Sequence, residues 1–388
     1  MTFTEKVMEI TFYVICFITR ILPLKNYIIF ESKPDFSDNT FFLYQKMLEK
    51  KYNLKYKMFW ILNGQKYEGV LPKNVYTIRR AHGNAFEKIR FLWIKNRARF
   101  IIDCSAFIQK NSDKQHRIHL KHGLPLKSAD QYNFLIGEVD LISVPSDYWI
   151  TKCAEEHNVD ASKIKPLGFP RNDVLKSCPH QNINIVWMPT WIYGDFNTDE
   201  EKNANPLVKK MPFGLPCIEN YEQLDEINEI FKKNNAYLYI RLHPVQDSTA
   251  LSLRENSNII ICNDNYLKSQ NTTLYRFLCS TDALISDYSS VYYDYLRLDK
   301  PIALITENYK EYKEICGKLK YSYDEFTENF PANFVTSYEE LLEFFNNIFE
   351  GKDPAEAKRK EAMIKYMPPT DSDSSENIIN YLIENFNF

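Results

Sequence analysis

With 388 residues, 44% of them hydrophobic and 26% charged, the chain is long enough for two globular domains and lies outside the composition of disordered or integral membrane proteins. A net charge of -3 gives no sign of a nucleic-acid partner, so any anionic ligand has to be met by local basic groups. Only 10 glycines are present, and neither a G-x-G-x-x-G nor a G-x-x-x-x-G-K-[ST] phosphate loop occurs.

The eight cysteines (Cys16, Cys104, Cys153, Cys178, Cys217, Cys262, Cys279, Cys316) are dispersed without a C-x-x-C pair, which argues against zinc and favours reduced thiols in a cytosolic compartment. The segment Met1 to Leu24 is the most apolar window, with a near-continuous run from Val7 to Ile18 closed by Arg20 and Lys25. About 12 such residues fall short of the roughly 17 to 25 of a bilayer span, and no small-residue cleavage site follows. The segment reads as an interfacial helix or as one docked against protein.

A strand at Asn26 to Glu31, centred on Tyr27-Ile28-Ile29-Phe30, leads through the polar turn Ser32 to Asn39 into a helix from Thr40 to Lys50. Strands follow at Lys55 to Leu62 and Val75 to Ile78, then a helix at Phe86 to Arg97 and a strand at Ala98 to Asp103. His116 to Lys127 reads as a strand on which His116 and His122 share one face and His119 takes the other. No carboxylate or cysteine adjoins these histidines, so no metal is expected there. His122, at the strand end before Gly123 and Pro125, suits a proton acceptor or phosphate ligand, with Lys127 supplying charge. After a strand at Val139 to Val144 and a helix from Ser146, the turn Gly168 to Asp173 carries a guanidinium and a carboxylate. The polar stretch Lys176 to Asn184 reads as a domain boundary.

The pattern then restarts. A strand at Ile185 to Met188 ends in Pro189-Thr190-Trp191, and the polar segment Gly194 to Gly214 reads as a loop. Helix Tyr221 to Asn234 precedes strand Ala236 to Ile240, which ends at Arg241-Leu242-His243-Pro244 and puts Arg241 and His243 on one face. A strand at Asn258 to Cys262 and a helix at Thr273 to Cys279 lead to strand Ala283 to Ile285. The turn Ser286-Asp287-Tyr288-Ser289-Ser290 then opens a helix, ahead of strand Ile302 to Ile305. Two serines beside the unpaired N–H groups of a first helical turn suit a phosphate; an ordinary N-cap is the alternative. Helices Tyr338 to Phe349 and Asn377 to Phe386, separated by the turn Asp371 to Ser375, end the chain.

The ordered set Phe30-Glu31-Ser32 with Ser37-Asp38-Asn39, His122-Gly123-Leu124-Pro125-Leu126-Lys127, Gly168-Phe169-Pro170-Arg171-Asn172-Asp173, Pro189-Thr190-Trp191, Arg241-Leu242-His243-Pro244 and Ser286 to Ser290 with Asp294-Tyr295 and Lys300-Pro301 resembles the CDP-glycerol:glycerophosphotransferase family of teichoic-acid-type polymer enzymes. The resemblance covers nearly all of the chain beyond residue 25. It implies an α/β fold of the GT-B type, two Rossmann-like domains facing a central cleft. An N-terminal acceptor-side domain would span 1–179, a CDP-polyol-binding domain 180–362, and a C-terminal helical segment, 363–388, would pack back on the first domain. The implied reaction moves glycerol phosphate from CDP-glycerol to a hydroxyl of a lipid-linked saccharide or polyol-phosphate acceptor and releases CMP. It needs no cofactor, no metal and no nucleic acid, and the expected place is the cytoplasmic face of the cell membrane, in contact with the membrane surface.

By the same resemblance His122 and His243 are catalytic. His122 is the general base on the acceptor side, and His243 lies with Arg241 on the pyrophosphate. Asp287, Tyr288, Ser289, Ser290, Thr190 and Ser375 are expected on the donor, Asp294 on a polyol hydroxyl, and Lys127, Arg171 and Asp173 along the cleft. Two departures stand out: Trp191 is followed by Ile192-Tyr193-Gly194-Asp195 rather than by a basic residue and acids, and Ser372 replaces the glycine of a D-G-x-x-S tail motif. The chain is also shorter than a polymerase carrying further membrane-targeting or partner domains. A CDP-ribitol-dependent transferase, a GT-B glycosyltransferase using a nucleotide sugar and a non-catalytic membrane-associated scaffold are the competing readings.

Overall fold

Runs such as Ile28-Ile29-Phe30 and Ile101-Ile102 are apolar at every position, the pattern of strands covered on both faces of a parallel sheet. The computed structural model describes residues 3–63, 67, 69–80, 84–105, 108–124, 138–190, 211, 213–242, 253–316, 319, 321–370 and 372–388. They form two compact units. The first comprises Met1–His122, Asp130–Asp173 and Thr370–Phe388, and the second Gly123–Ala129 and Val174–Pro369.

The first unit holds seven parallel strands: β1 (Lys25–Glu31), β2 (Lys57–Leu62), β3 (Val75–Arg79), β4 (Ala98–Asp103), β5 (His116–His119), β6 (Leu141–Ser143) and β7 (Ile164–Lys165). Their order is β3-β2-β1-β4-β5-β6-β7. Helices α1 (Phe3–Ile21), α2 (Asp38–Glu49), α3 (Ala85–Arg97) and α4 (Tyr148–His157) belong to the same unit. Strand alternation divides the core: Ile28 and Phe30 pack with Leu43, Trp60 and Ile118, whereas Ile29 packs with Phe59, Phe91 and Ile94 on the other face. The C-terminal helix, Ser374–Phe386, adds Ile378, Ile379 and Leu382 to the first of these clusters.

One side of α1 is docked. Thr19 is buried and takes hydrogen bonds from Asn96 (3.1 Å) and Asn111 (3.2 Å), and Arg20 Nε donates to the Asn111 carbonyl (2.9 Å). The other side presents Ile10, Tyr13, Phe17 and Ile21, each more than 60% exposed and spaced as one helical stripe. Among the described residues no helix is long and apolar enough to cross a membrane.

The second unit holds β8 (Ile183–Trp187), β9 (Ala236–Ile240), β10 (Ile259–Ile261), β11 (Ala283–Ser286), β12 (Ile302–Ile305) and β13 (Asn333–Val335), all parallel, in the order β10-β9-β8-β11-β12-β13. Both strand orders reverse once, between β1 and β4 and between β8 and β11. The connections leaving those strand pairs diverge to opposite faces and open a crevice at the carboxyl ends.

The units part at Asp173/Val174 and Pro369/Thr370, where 179/180 and 362/363 were expected. Hydrogen bonding accounts for both shifts. Asp173 is bound to Ser374 and Ser375 of the first unit, and the Val174 carbonyl accepts from Cys279 Sγ of the second (2.9 Å). Helix Glu356–Tyr366 stays with the second unit through Arg359, which is buried and bridges Asp299 (2.5 Å) and Asp353 (2.9 Å).

Candidate active site

At the crevice of the first unit, the polar turn after β1 delivers Asp38 and Asn39 to the start of α2. Asn39 is fully buried: its Nδ2 donates to the carbonyls of Leu120 (3.1 Å) and Lys121 (2.9 Å), and its Oδ1 accepts from Arg171 N (3.1 Å). One side chain therefore ties the start of α2, the segment after β5 and the turn Pro170–Val174 together.

Three groups meet on this tie. His122 Nδ1 is paired with Asp38 Oδ2, Arg171 Nη1 donates to Asp38 Oδ1 at 2.6 Å, and Arg171 Nη1 also donates to the His122 carbonyl. Asp38 is 5% exposed at its side chain, whereas the His122 side chain is 69% exposed. Burial by itself would raise the Asp38 carboxyl; the Arg171 guanidinium and the His122 ring outweigh it and hold the group below the usual carboxylate range. An ionised carboxylate on Nδ1 favours the tautomer with its proton there, which leaves Nε2 as the nitrogen able to accept one. The arrangement is a carboxylate–imidazole pair with the imidazole at the surface, the geometry of a general base.

The expected strand from His116 to Lys127 ends at His119, because Lys121 takes a left-handed conformation (φ 49) that breaks the alternation. The three histidines separate accordingly. His116 stacks on Phe386 (4.5 Å), His119 is buried with Nδ1 on Asp103 (2.6 Å), and His122 reaches Asp38. Arg171 is not a phosphate ligand on the cleft surface as expected. It is 2% exposed, engaged by Asp38, and stacked on the Phe169 ring at 5.2 Å. Asp173 and Ser375 are likewise corrected, since they hold each other. Asp173 accepts from Ser374 N (2.6 Å), Ser375 N (2.9 Å) and Ser375 Oγ (2.6 Å), a carboxylate seated on the first turn of the C-terminal helix. Ser375 is 2% exposed, and its hydroxyl is engaged by Asp173 within the first unit. Lys127 lies outside the described residues.

Beside this group Glu31, at the carboxyl end of β1, is fully buried, and burial followed by the nearby Asp103 charge pushes its carboxyl up to about 7. The unfolded chain would ionise it near 4.5, so stability falls as pH rises between those values and stays lower above them. Glu31→Gln is expected to remove that slope and to stabilise the protein by about 2–3 kcal/mol at pH 8 relative to wild type. Urea unfolding at pH 5 and pH 8 measures this, and equal differences at both pH values would contradict it.

In the second unit Thr190 and Asp287 follow the adjacent strands β8 and β11, and they bind each other. Both carboxylate oxygens accept from Thr190 N (2.9 and 2.8 Å), the Thr190 hydroxyl donates to Oδ1, and Tyr288 N does so at 2.6 Å. Tyr288 is a core residue rather than a ligand: it is 1% exposed, stacks on Tyr312 (4.2 Å) and donates to Asn308 Oδ1 (3.0 Å). Asp294, expected at a polyol hydroxyl, is 2% exposed and accepts from the Tyr275 hydroxyl at 3.4 Å. Arg241 closes β9 with its guanidinium on Asp264 (2.6 Å) and the Cys262 carbonyl (3.0 Å). Ser289 and Ser290 are half-buried, and neither hydroxyl has a hydrogen-bond partner among the described residues. His243 and Trp191 lie outside the described residues.

Asp38 and Asn39 were legible as a polar turn and as part of a family motif but not as site residues, although an Asp-Asn pair opening a helix whose strand ends at a ligand crevice is a usable signal.

Two parallel sheets, each with a switch point and polar groups gathered at its carboxyl ends, define a GT-B-class α/β protein, with a carboxylate-oriented histidine in its first unit. The model of the CDP-glycerol:poly(glycerophosphate) glycerophosphotransferase family matches residues 14–384. The chain belongs to that family. A teichoic acid poly(glycerol phosphate) polymerase of Staphylococcus epidermidis is 23% identical over 359 residues, which cover 83% of this chain and 45% of the polymerase. A teichoic acid glycerol-phosphate primase of Bacillus subtilis is 28% identical over 150 residues, 39% of this chain and 35% of the primase. The matched residues therefore span less than half the length of each of these two curated relatives. The structure of the wall teichoic acid polymerase TagF superposes with a TM-score of 0.76 at 19% identity, covering 99% of this chain and 95% of that one, a likeness of fold.

Proposed function

We propose that the chain is a glycerophosphotransferase that moves glycerol phosphate from CDP-glycerol to a hydroxyl of a polyol-phosphate or lipid-linked acceptor in wall teichoic acid or capsule synthesis. The observation that carries this reading is the exposed His122 imidazole backed by the buried Asp38 carboxylate, in a chain of this family. In the reaction the acceptor oxygen attacks the β-phosphorus of CDP-glycerol, a new O–P bond forms, the bond between the β-phosphorus and the bridging oxygen breaks, and CMP leaves. The acceptor proton goes to His122 Nε2. Catalysis then asks chiefly for alignment, neutralisation of phosphate charge and a base on the attacking oxygen.

The donor is assigned to the second unit, with Ser289 and Ser290 on its phosphate and Arg241 and His243 on the pyrophosphate. The two serines are supported by hydroxyls without hydrogen-bond partners among the described residues, whereas Thr190 and Asp287 shape the turn that carries them. Ser290→Ala is expected to raise the KM for CDP-glycerol about tenfold with little change in kcat. Steady-state kinetics measures this, and an unchanged donor KM would remove Ser290 from the site. Incubation with CDP-glycerol, CDP-ribitol and a nucleotide sugar in turn, with a glycerol-phosphate primer and mass measurement of products, tests the activity itself. Elongation with CDP-glycerol and release of CMP is the expected result. Elongation only with another donor would select that alternative, and no product or nucleotide binding with any donor would favour a scaffold.

Peripheral contact with the cytoplasmic membrane surface is part of the proposal. It is supported by the exposed stripe Ile10, Tyr13, Phe17 and Ile21 on α1. It is also supported by a concavity of about 530 Å³ at the amino ends of β1 and β2 that gathers Lys25, Lys55 and Lys57, none with an ion-pair partner among the described residues. Phe17→Glu with Ile21→Glu is expected to reduce co-sedimentation with phosphatidylglycerol vesicles several-fold. Unaltered sedimentation would contradict the membrane role of α1.

A further inference from the structure

The peptide ahead of His122 is unusual in two respects. Lys121 has φ 49, a left-handed conformation that is unfavourable for an L residue and that glycine would adopt without penalty. Its ammonium is also buried: the side chain is 4% exposed, with Nζ 2.7 Å from Glu156 Oε2 and 2.8 Å from His157 Nε2. Burying an ammonium is unfavourable unless its partners are well placed, and a strained residue persists only where its surroundings hold it.

The partners are well placed. Glu156 and His157 end α4, one turn after Cys153, and the ligand atoms of the three lie within 4.8 Å of one another. That spacing is metal-like, yet the cation held there is the Lys121 ammonium. His157 is neutral, since burial and then the Lys121 charge bring its ring down to about 2, so Nε2 accepts a hydrogen bond from the lysine ammonium. Burial pushes the Cys153 thiol up to about 11, which keeps it a thiol. On the opposite side of the peptide Asn39 Nδ2 grips the Lys121 carbonyl (2.9 Å). The residue is thus held at both its side chain and its backbone, one position before the histidine.

We infer that Lys121 is a positioning residue for His122: its ammonium, fastened to Glu156 and His157, locks the left-handed turn that takes the histidine off the line of β5 and onto Asp38. Without the turn, alternation from His116 would direct residue 122 along the strand face instead. The lock acts through main-chain conformation, so Lys121 needs no contact with substrate. The inference rests on His122 being the group that takes the acceptor proton.

The test compares Lys121→Met, Lys121→Gly and Glu156→Gln in the full chain, using initial rates with CDP-glycerol and a glycerol-phosphate primer and 15N NMR of the His122 ring. Lys121→Met is expected to lower kcat about tenfold or more with the donor KM within about twofold of wild type, and to lose the single Nδ1–H tautomer. Lys121→Gly, which accepts the left-handed backbone but has no anchor, is expected to lose kcat as well. Glu156→Gln keeps the lysine stem and reports on the anchor if Lys121→Met does not fold. Wild-type kcat and an unchanged ring signal in Lys121→Met or in folded Glu156→Gln would overturn the inference. Full turnover in His122→Ala would instead overturn the base assignment, and the ring signal would still decide whether Lys121 positions the histidine.

Discussion

Replacing His122 with alanine is expected to lower kcat for glycerol-phosphate transfer by about a hundredfold or more while leaving the fold and donor binding intact, because a general base supplies roughly that factor. The ring is 69% exposed, so its removal leaves no cavity in the core. Asp38→Asn is expected to act in the same direction for a different reason. The amide keeps the shape of the carboxylate but carries no charge to fix the Nδ1–H tautomer or to stabilise the imidazolium that forms when Nε2 takes the acceptor proton. Arg171 would then face an amide with its buried guanidinium, so part of the Asp38→Asn effect should appear as lower stability. Single-turnover kinetics with CDP-glycerol and primer, paired with thermal melts, separates the two. Near-normal turnover in folded His122→Ala would show that the proton leaves by another route.

The largest stability effect is expected at Gly168. Its φ is +90, and a Cβ built there would stand 2.2 Å from Ser374 Oγ and 2.8 Å from Ser374 Cβ. Gly168 cannot retreat readily, because its N–H binds the Val144 carbonyl (3.0 Å) and its carbonyl accepts from Ser143 Oγ (2.7 Å). Ser374 cannot retreat either, since its N–H is held by Asp173 at 2.6 Å. Gly168→Ala therefore combines about 1–2 kcal/mol of backbone strain with an overlap of about 1–3 kcal/mol, a large part of the roughly 5–15 kcal/mol that holds a domain folded. The expected observations are a lower urea midpoint and faster proteolytic release of the C-terminal helix Ser374–Phe386. Adding Ser374→Gly should recover the overlap and leave the strain. A midpoint equal to wild type would mean that the helix start tolerates displacement.

Much of the fold was legible along the chain. Uninterrupted apolar runs at Ile28 to Phe30 and Ala283 to Ile285 marked buried parallel strands, and Asn84 with Glu87 forms the capping box that starts α3 close to its expected residue. Some short elements were not legible, although β10 and the helix Leu274–Leu278 were. Strand β13 has three residues and helices Asp264–Ser269 and Tyr323–Asn329 six and seven, too few for a period to emerge from composition. The site divided in the same way. Motif and position single out His122, Ser289 and Ser290, whereas the pairing of Ser375 with Asp173 is not legible because the two lie 202 positions apart in the chain.

The sequence by itself determined the two-sheet α/β class, the family and the candidate histidine and serine pair, because apolar periodicity and short ordered motifs are local properties. Only the tertiary structure decided which polar groups stand at the surface and which are consumed inside: Arg171 on Asp38, Asp173 on Ser375, Thr190 on Asp287. The physical reason is that a buried polar group must find a hydrogen-bond partner, and packing, not chain proximity, chooses it.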